Sequence, residues 1–182
     1  MTKKSSLSKT VLAGIFTALI AICSQIVIPL PMIPINLALF AVLLSATLLP
    51  FKYSMLCTIT YLLLGAVGAP VFASFGGGLG TLFGKTGGYI IGYVFTAMVV
   101  SSLINVTKVN FKKVSLASFI KLSLIMVLGV LVCYAFGTLY FMYITKLSLL
   151  QSLIYCVFPF IIGDVIKVLL ASTLGLILKE KI

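Results

Sequence analysis

The chain has 182 residues, 62% of them hydrophobic and 8% charged, and its formal charge of +11 comes from thirteen lysines, no arginine and two acids. That apolar fraction exceeds what a soluble domain can bury, so the composition describes an all-α integral membrane protein, organised as a single domain over residues 1–182. The lysine excess then belongs to cytoplasmic loops and anionic headgroups rather than to nucleic acid, and the absence of histidine leaves almost no ligands for a transition metal.

Lys3, Lys4 and Lys9 precede an apolar run in the manner of a signal peptide, but residues 10–28 are long enough to cross a bilayer and no Ala-x-Ala site follows. The run is expected to be a retained first span. Five further spans are expected at residues 35–49, 53–67, 86–104, 116–144 and 161–178. The second and third are short for a hydrocarbon core of about 30 Å and should end inside a cavity or at a thinned edge. Residues 147–178 as one helix would be about 48 Å long at 1.5 Å per residue, which predicts a break near Pro159. With the N-terminus inside, ten lysines fall in inner segments, against Lys85 and Lys146 outside, so both termini are expected to be cytoplasmic. The four cysteines, Cys23, Cys57, Cys133 and Cys156, lie singly in apolar surroundings and read as packing residues.

Within the first span, Gly14 and Ala18 are four apart, a spacing that opens a groove for another helix, either a partner's or one of the chain's own. The connection into the fourth span is rich in glycine, with eight of the fifteen glycines between Gly76 and Gly92. Interleaved Phe72, Phe75, Phe83 and Tyr89 supply apolar walls. Such a segment suits either a loop folded over a ligand or close helix packing through small residues. Two nucleotide motifs fail here. The run Gly80-Thr-Leu-Phe-Gly84-Lys85-Thr86 has three residues between its glycines where a phosphate-binding loop needs four, and Phe83 stands where a dinucleotide fingerprint needs its last glycine.

Asp164 and Lys167 are the most informative residues. They lie three apart in the apolar sixth span, where a charged side chain costs roughly 2.5–3.5 kcal/mol at mid-membrane. Residues three apart share a helix face, so the pair can offer an acceptor and a donor to one small polar ligand. The alternative is an ion pair that locks two helices together. Counted from the inner end of the span, Asp164 lies about 21 Å out at 1.5 Å per residue, in the outer half of the membrane.

Three segments, the proline-rich turn Ile28-Pro-Leu-Pro-Met-Ile-Pro34, the run Gly65 to Gly92, and Pro159-Phe-Ile-Ile-Gly-Asp164-Val-Ile-Lys167, resemble the BioY family. Those proteins are the biotin-binding S components of energy-coupling factor (ECF) transporters. The resemblance covers nearly the whole chain in order, and Thr86-Gly-Gly-Tyr89 and Gly163-Asp164-x-x-Lys167 are its most specific pieces. It implies a six-helix receptor in the cell membrane that captures biotin in a cavity open to the outside, needs no cofactor, and works with a T component and two ATPase subunits. It also implies that Asp164 accepts a hydrogen bond from a ureido N–H and that Lys167 donates to the ureido oxygen or the valerate carboxylate. Phe75, Gly76, Gly77 and Tyr89 are expected to complete the binding site, with Phe75 and Tyr89 against the bicycle. Gly14 and Ala18 resemble the family's coupling motif toward the T component.

The chain departs from the family pattern at three points. Asn36-Leu-Ala38-Leu39 replaces a Thr-Leu-Gln-Thr stretch, Gly76 stands where Ser or Asn is common, and Lys85 replaces a proline. These changes either weaken biotin binding or shift it toward a precursor such as dethiobiotin, with Asn36, Gln25 and Lys85 as candidates to compensate. A stand-alone secondary transporter of biotin or a related vitamin is the alternative, but the chain shows no repeated halves and has one acid within its spans. An enzyme would need a base and a partner beyond this pair.

Overall fold

A computed structural model of the chain describes residues 3–111 and 115–179, which fold as eight α-helices with a two-residue β-ladder. Lys112, Lys113, Glu180 and Lys181, which enter the charge count, lie outside the described residues. The helices are α1 (Lys3–Gln25), α2 (Ala38–Leu48), α3 (Phe51–Ala66), α4 (Leu79–Leu82), α5 (Gly87–Thr107), α6 (Leu116–Thr145), α7 (Leu149–Cys156) and α8 (Phe158–Leu178). Four are long and apolar enough to cross a membrane, namely α1 over Leu7–Gln25, α5, α6 and α8, while α2 and α3 are shorter apolar helices. Their outward faces stay apolar, with Leu124, Leu128, Leu131, Ile162, Val165 and Leu169 all exposed. That is the pattern of helices solvated by lipid.

Helix α2 is the core. Every one of its residues except Phe40 is buried, and it packs against α1, α3, α5 and α8. A helix that is apolar all round needs such an enclosure. At about 16 Å for eleven residues it is shorter than a hydrocarbon core of about 30 Å, and its N-terminal end opens on a cavity lined by Asn36 and Leu39. The expected second span therefore begins three residues late. Ile35 and Asn36 pair instead with Ile28 and Val27 in an antiparallel ladder that ties the proline-rich turn down.

Helices α5 and α6 pack through small residues. A Cβ on Gly88 would lie 2.4 Å from the Tyr140 Cβ, one on Gly129 2.4 Å from a Val100 methyl, and one on Gly137 2.3 Å from the Tyr89 ring. This is close packing of the kind small residues permit in a membrane. The packing reading of the glycine-rich segment thus holds at Gly88 and Gly92, while Gly76–Gly78 lie outside the helices.

The break before the sixth span falls at Val157, two residues ahead of Pro159. Val157 has φ −125° and ψ −57° and separates α7 from α8. Proline sits in the first turn of α8, where a missing N–H removes no helical bond. At the far end of α8, Lys179 Nζ donates to Thr47 O at 2.8 Å and Leu48 O at 2.9 Å, which caps α2. Burial pushes the Lys179 ammonium below its ordinary pKa, and the two carbonyls answer that loss of solvation.

Candidate functional site

Asp164 and Lys167 occupy the inner face of α8 and are 4% and 5% exposed. Lys167 Nζ donates to Asp164 Oδ1 at 2.7 Å, an i,i+3 pair within one helix. It therefore does not join two helices. The link between helices comes from Tyr134 of α6, whose hydroxyl donates to Asp164 Oδ2 at 2.6 Å. Both carboxylate oxygens are engaged, as a buried charge requires. Each oxygen keeps a lone pair, and the ammonium keeps two further N–H groups. The pair is satisfied in itself and still able to accept from and donate to a ligand.

All three residues line one cavity. Its walls include Asn36 and Leu39 at the start of α2, Tyr61 of α3, Tyr89 and Tyr93 of α5, and Phe160 of α8, with Phe72, Ala73 and Thr81 from the connection between α3 and α5. A few polar groups converge inside a mainly aromatic and aliphatic wall, the usual make-up of a small-molecule site.

The connection is held by specific bonds. Phe72 lies against Gly65, where a Cβ would come within 2.0 Å of its ring, and meets the Tyr61 ring edge-on at 5.5 Å. Ser74 and Phe75 both adopt left-handed backbone, at φ 56° and 57°, which is costly for residues with a Cβ. Gln25, the last residue of α1, restrains this strained pair. Its Oε1 accepts from Phe75 N at 2.8 Å, and its Nε2 donates to Phe72 O at 3.0 Å. Ser24 donates to Val71 O next to it. Gly77 is required by a close approach, since a Cβ there would lie 2.5 Å from Ala69 O.

The expected site residues are distributed unevenly. Asp164, Lys167 and Tyr89 line the cavity, whereas Phe75, Gly76 and Gly77 belong to the connection between α3 and α5 and are not among its lining residues. Phe75 is 72% exposed. Tyr89 has a second task. Its hydroxyl donates to Cys156 O at 3.1 Å, which takes up a carbonyl freed by the break between α7 and α8, and its ring stacks with Phe160 at 6.4 Å. Of the three residues named to offset the departures, Gln25 is bonded to Phe72 and Phe75, Lys85 is exposed outside the cavity, and Asn36 lines it.

Tyr134 and Tyr93 carry no spacing signal and were not expected. Tyr134 is 30 residues from Asp164 in an apolar helix, so only the packing of α6 on α8 reveals it. Gly14 and Ala18 lie on the exposed face of α1, and a Cβ on Gly14 would meet nothing within 4 Å. The pair is therefore not used for packing inside the bundle.

With this geometry in view, the family model described as BioY matches residues 1–182. A biotin transporter BioY of Thermotoga maritima is 39% identical over 92% of this chain and 94% of its own length. Biotin transporter BioY2 of Lactococcus lactis subsp. cremoris is 31% identical, over 97% and 92%. Among solved structures, the crystal structure of the S-component for biotin from an ECF-type ABC transporter superposes with a TM-score of 0.91 at 26% identity, covering 99% of this chain and 95% of that one.

Proposed function

The chain belongs to the BioY family, and we propose that it is the biotin-binding subunit of an ECF-type uptake transporter. The observation that carries this reading is the Asp164–Lys167–Tyr134 constellation in a cavity also lined by Phe72, Ala73 and Thr81, whose connection we read as its cover. Biotin's ureido group offers N–H donors to the Asp164 carboxylate, while Lys167 donates to the ureido oxygen or the valerate carboxylate. Charge-assisted bonds in a desolvated cavity discriminate strongly, because an analogue lacking the group leaves a buried charge poorly paired. Tyr89 packs the bicycle from the α5 side. Phe75, Gly76 and Gly77 act through the cover, with Phe75 turning inward when the ligand is seated.

In this reading the chain is one domain in the cell membrane, crossing it six times, with α2 and α3 as the shorter crossings. Both termini are cytoplasmic and the cavity opens outward. Lys52, Lys108, Lys121 and Lys179 gather at the end of the helices away from the cavity. Lys179 lies at Thr47 and Leu48, and Lys121 Nζ donates to Thr107 O. The positive-inside rule makes that end cytoplasmic. The subunit needs no cofactor and has no nucleotide site, so energy comes from a T component and two ATPase subunits. The exposed small-residue face at Gly14 and Ala18 is where the T component docks. Uptake of labelled biotin by cells that express the chain with and without those subunits tests this reading. Accumulation that requires ATPase activity is expected, and full accumulation without any ATPase subunit would point to a stand-alone transporter.

A further inference from the structure

Asn36, the last residue of the short β-ladder, lines the cavity that holds Asp164 and Lys167. Only one end of its carboxamide is used. Oδ1 accepts from Ala38 N at 3.0 Å and from the Tyr93 hydroxyl at 3.4 Å. A backbone N–H can only donate, so the atom facing Ala38 must be the oxygen, and the amide cannot be flipped. That leaves Nδ2, with two N–H donors, without a protein partner among the described residues.

Several of the polar groups around it are already engaged. The Thr81 hydroxyl donates to Gly77 O at 3.0 Å, and Gln25 has both ends on the covering segment. Lys167 already gives one N–H to Asp164. Asp164, when ionised, can only accept. Biotin carries acceptor oxygens at its ureido carbonyl and at its carboxylate, and the carboxamide of Asn36 is a neutral donor on the cavity wall held in orientation by Ala38 and Tyr93.

We propose that Asn36 is a specificity-determining residue that donates from Nδ2 to an oxygen acceptor of the ligand, either the ureido carbonyl or the carboxylate. The assignment rests on the biotin reading and deepens it. A neutral donor fixed by Ala38 and Tyr93 rejects ligands that lack the oxygen, because its N–H groups would then be buried without a partner.

The test is calorimetric titration of the purified full chain with biotin, 2-thiobiotin (a poor acceptor at the ureido position) and biotinol (no carboxylate). Wild type is compared with Asn36→Asp and Asn36→Ala, with thermal unfolding of each ligand-free protein alongside. Asn36→Asp keeps the oxygen that caps Ala38 and replaces the donor by an acceptor. Biotin affinity is expected to fall by about a hundredfold with unfolding unchanged, whereas Asn36→Ala loses about tenfold. If Asn36 only caps α2, Asn36→Asp binds biotin as wild type does, and the assignment is overturned.

The analogue series reads the same contact independently of any effect on folding. In Asn36→Ala, the penalty for 2-thiobiotin disappears if the partner is the ureido oxygen, and the penalty for biotinol disappears if it is the carboxylate. Affinities that all fall by one common factor mean a positioning role alone and overturn the assignment. Wild type that binds no biotin would remove the biotin reading itself, and this assignment with it.

Discussion

Asp164 reaches its buried position with both carboxylate oxygens occupied, one by Lys167 on the same helix and one by Tyr134 across the α6–α8 interface. This makes the three residues unequal under substitution. Tyr134→Phe removes one hydrogen bond to a charged group, about 1.5–3 kcal/mol, and is expected to weaken biotin binding by about tenfold to a hundredfold without unfolding the protein. Titration of the variant checks this. Lys167→Ala leaves a carboxylate buried and unpaired, at a cost of about 3–5 kcal/mol to stability. The double variant Asp164→Asn/Lys167→Met removes both charges. It should unfold at a higher temperature than Lys167→Ala while binding no biotin. Equal unfolding temperatures for the two would mean the ion pair is better solvated than its burial implies. The sequence shows Asp164 and Lys167 because charge in an apolar span is rare. It hides Tyr134 and Tyr93, since tyrosines in long apolar helices are unremarkable until a fold brings them to one cavity, and it shows Asn36 only as one of three candidates to offset the departures, which the cavity wall then singles out.

At the scale of elements, the six apolar runs in the chain correspond to the six longest helices, and each boundary that moved did so for a local reason. Residues 35–36 join a ladder because α2 begins at a cavity wall and not at a lipid surface. The break moved to Val157 because proline is harmless in a first turn. The short helix α4, only four residues long, was not legible as an element, whereas α7 falls in the part of residues 147–178 ahead of the expected break. α7 is opened by a capping box in which Ser148 and Gln151 satisfy each other's backbone N–H groups.

The element with most consequence for binding is the segment from Val71 to Gly76, held in left-handed backbone at Ser74 and Phe75 by Gln25. Gln25→Ala releases both tethers. Biotin dissociation is expected to accelerate about tenfold, with the association rate nearly unchanged, in a stopped-flow or washout measurement. A change confined to association would show that the segment steers entry and does not retain the ligand.

For the whole molecule, the division between inner packing and outer surface separates two groups of small residues that look alike in sequence. Gly137 faces the Tyr89 ring at a distance no Cβ could occupy, so Gly137→Leu should abolish folded protein on gel filtration. Gly14 and Ala18 face outward with open space around them. Gly14→Leu and Ala18→Leu are therefore expected to leave biotin binding by the isolated subunit intact and to lower ATPase-dependent uptake at least about tenfold, as labelled-biotin uptake beside titration will show. The apolar composition made the membrane class plain, and the lysine asymmetry predicts a direction across it. Which small residues of α1 pack inside and which face outward depended on the rotation of the helix about its axis, which its nearly uniform apolarity leaves undetermined.

The most direct test is calorimetric titration of the purified chain in detergent with biotin, run beside Asp164→Asn. The account predicts tight one-to-one binding by wild type and a loss of about a hundredfold in the variant, in keeping with a charge-assisted bond in a desolvated site. Folded wild type that binds no biotin, or equal affinity in the two proteins, would contradict it.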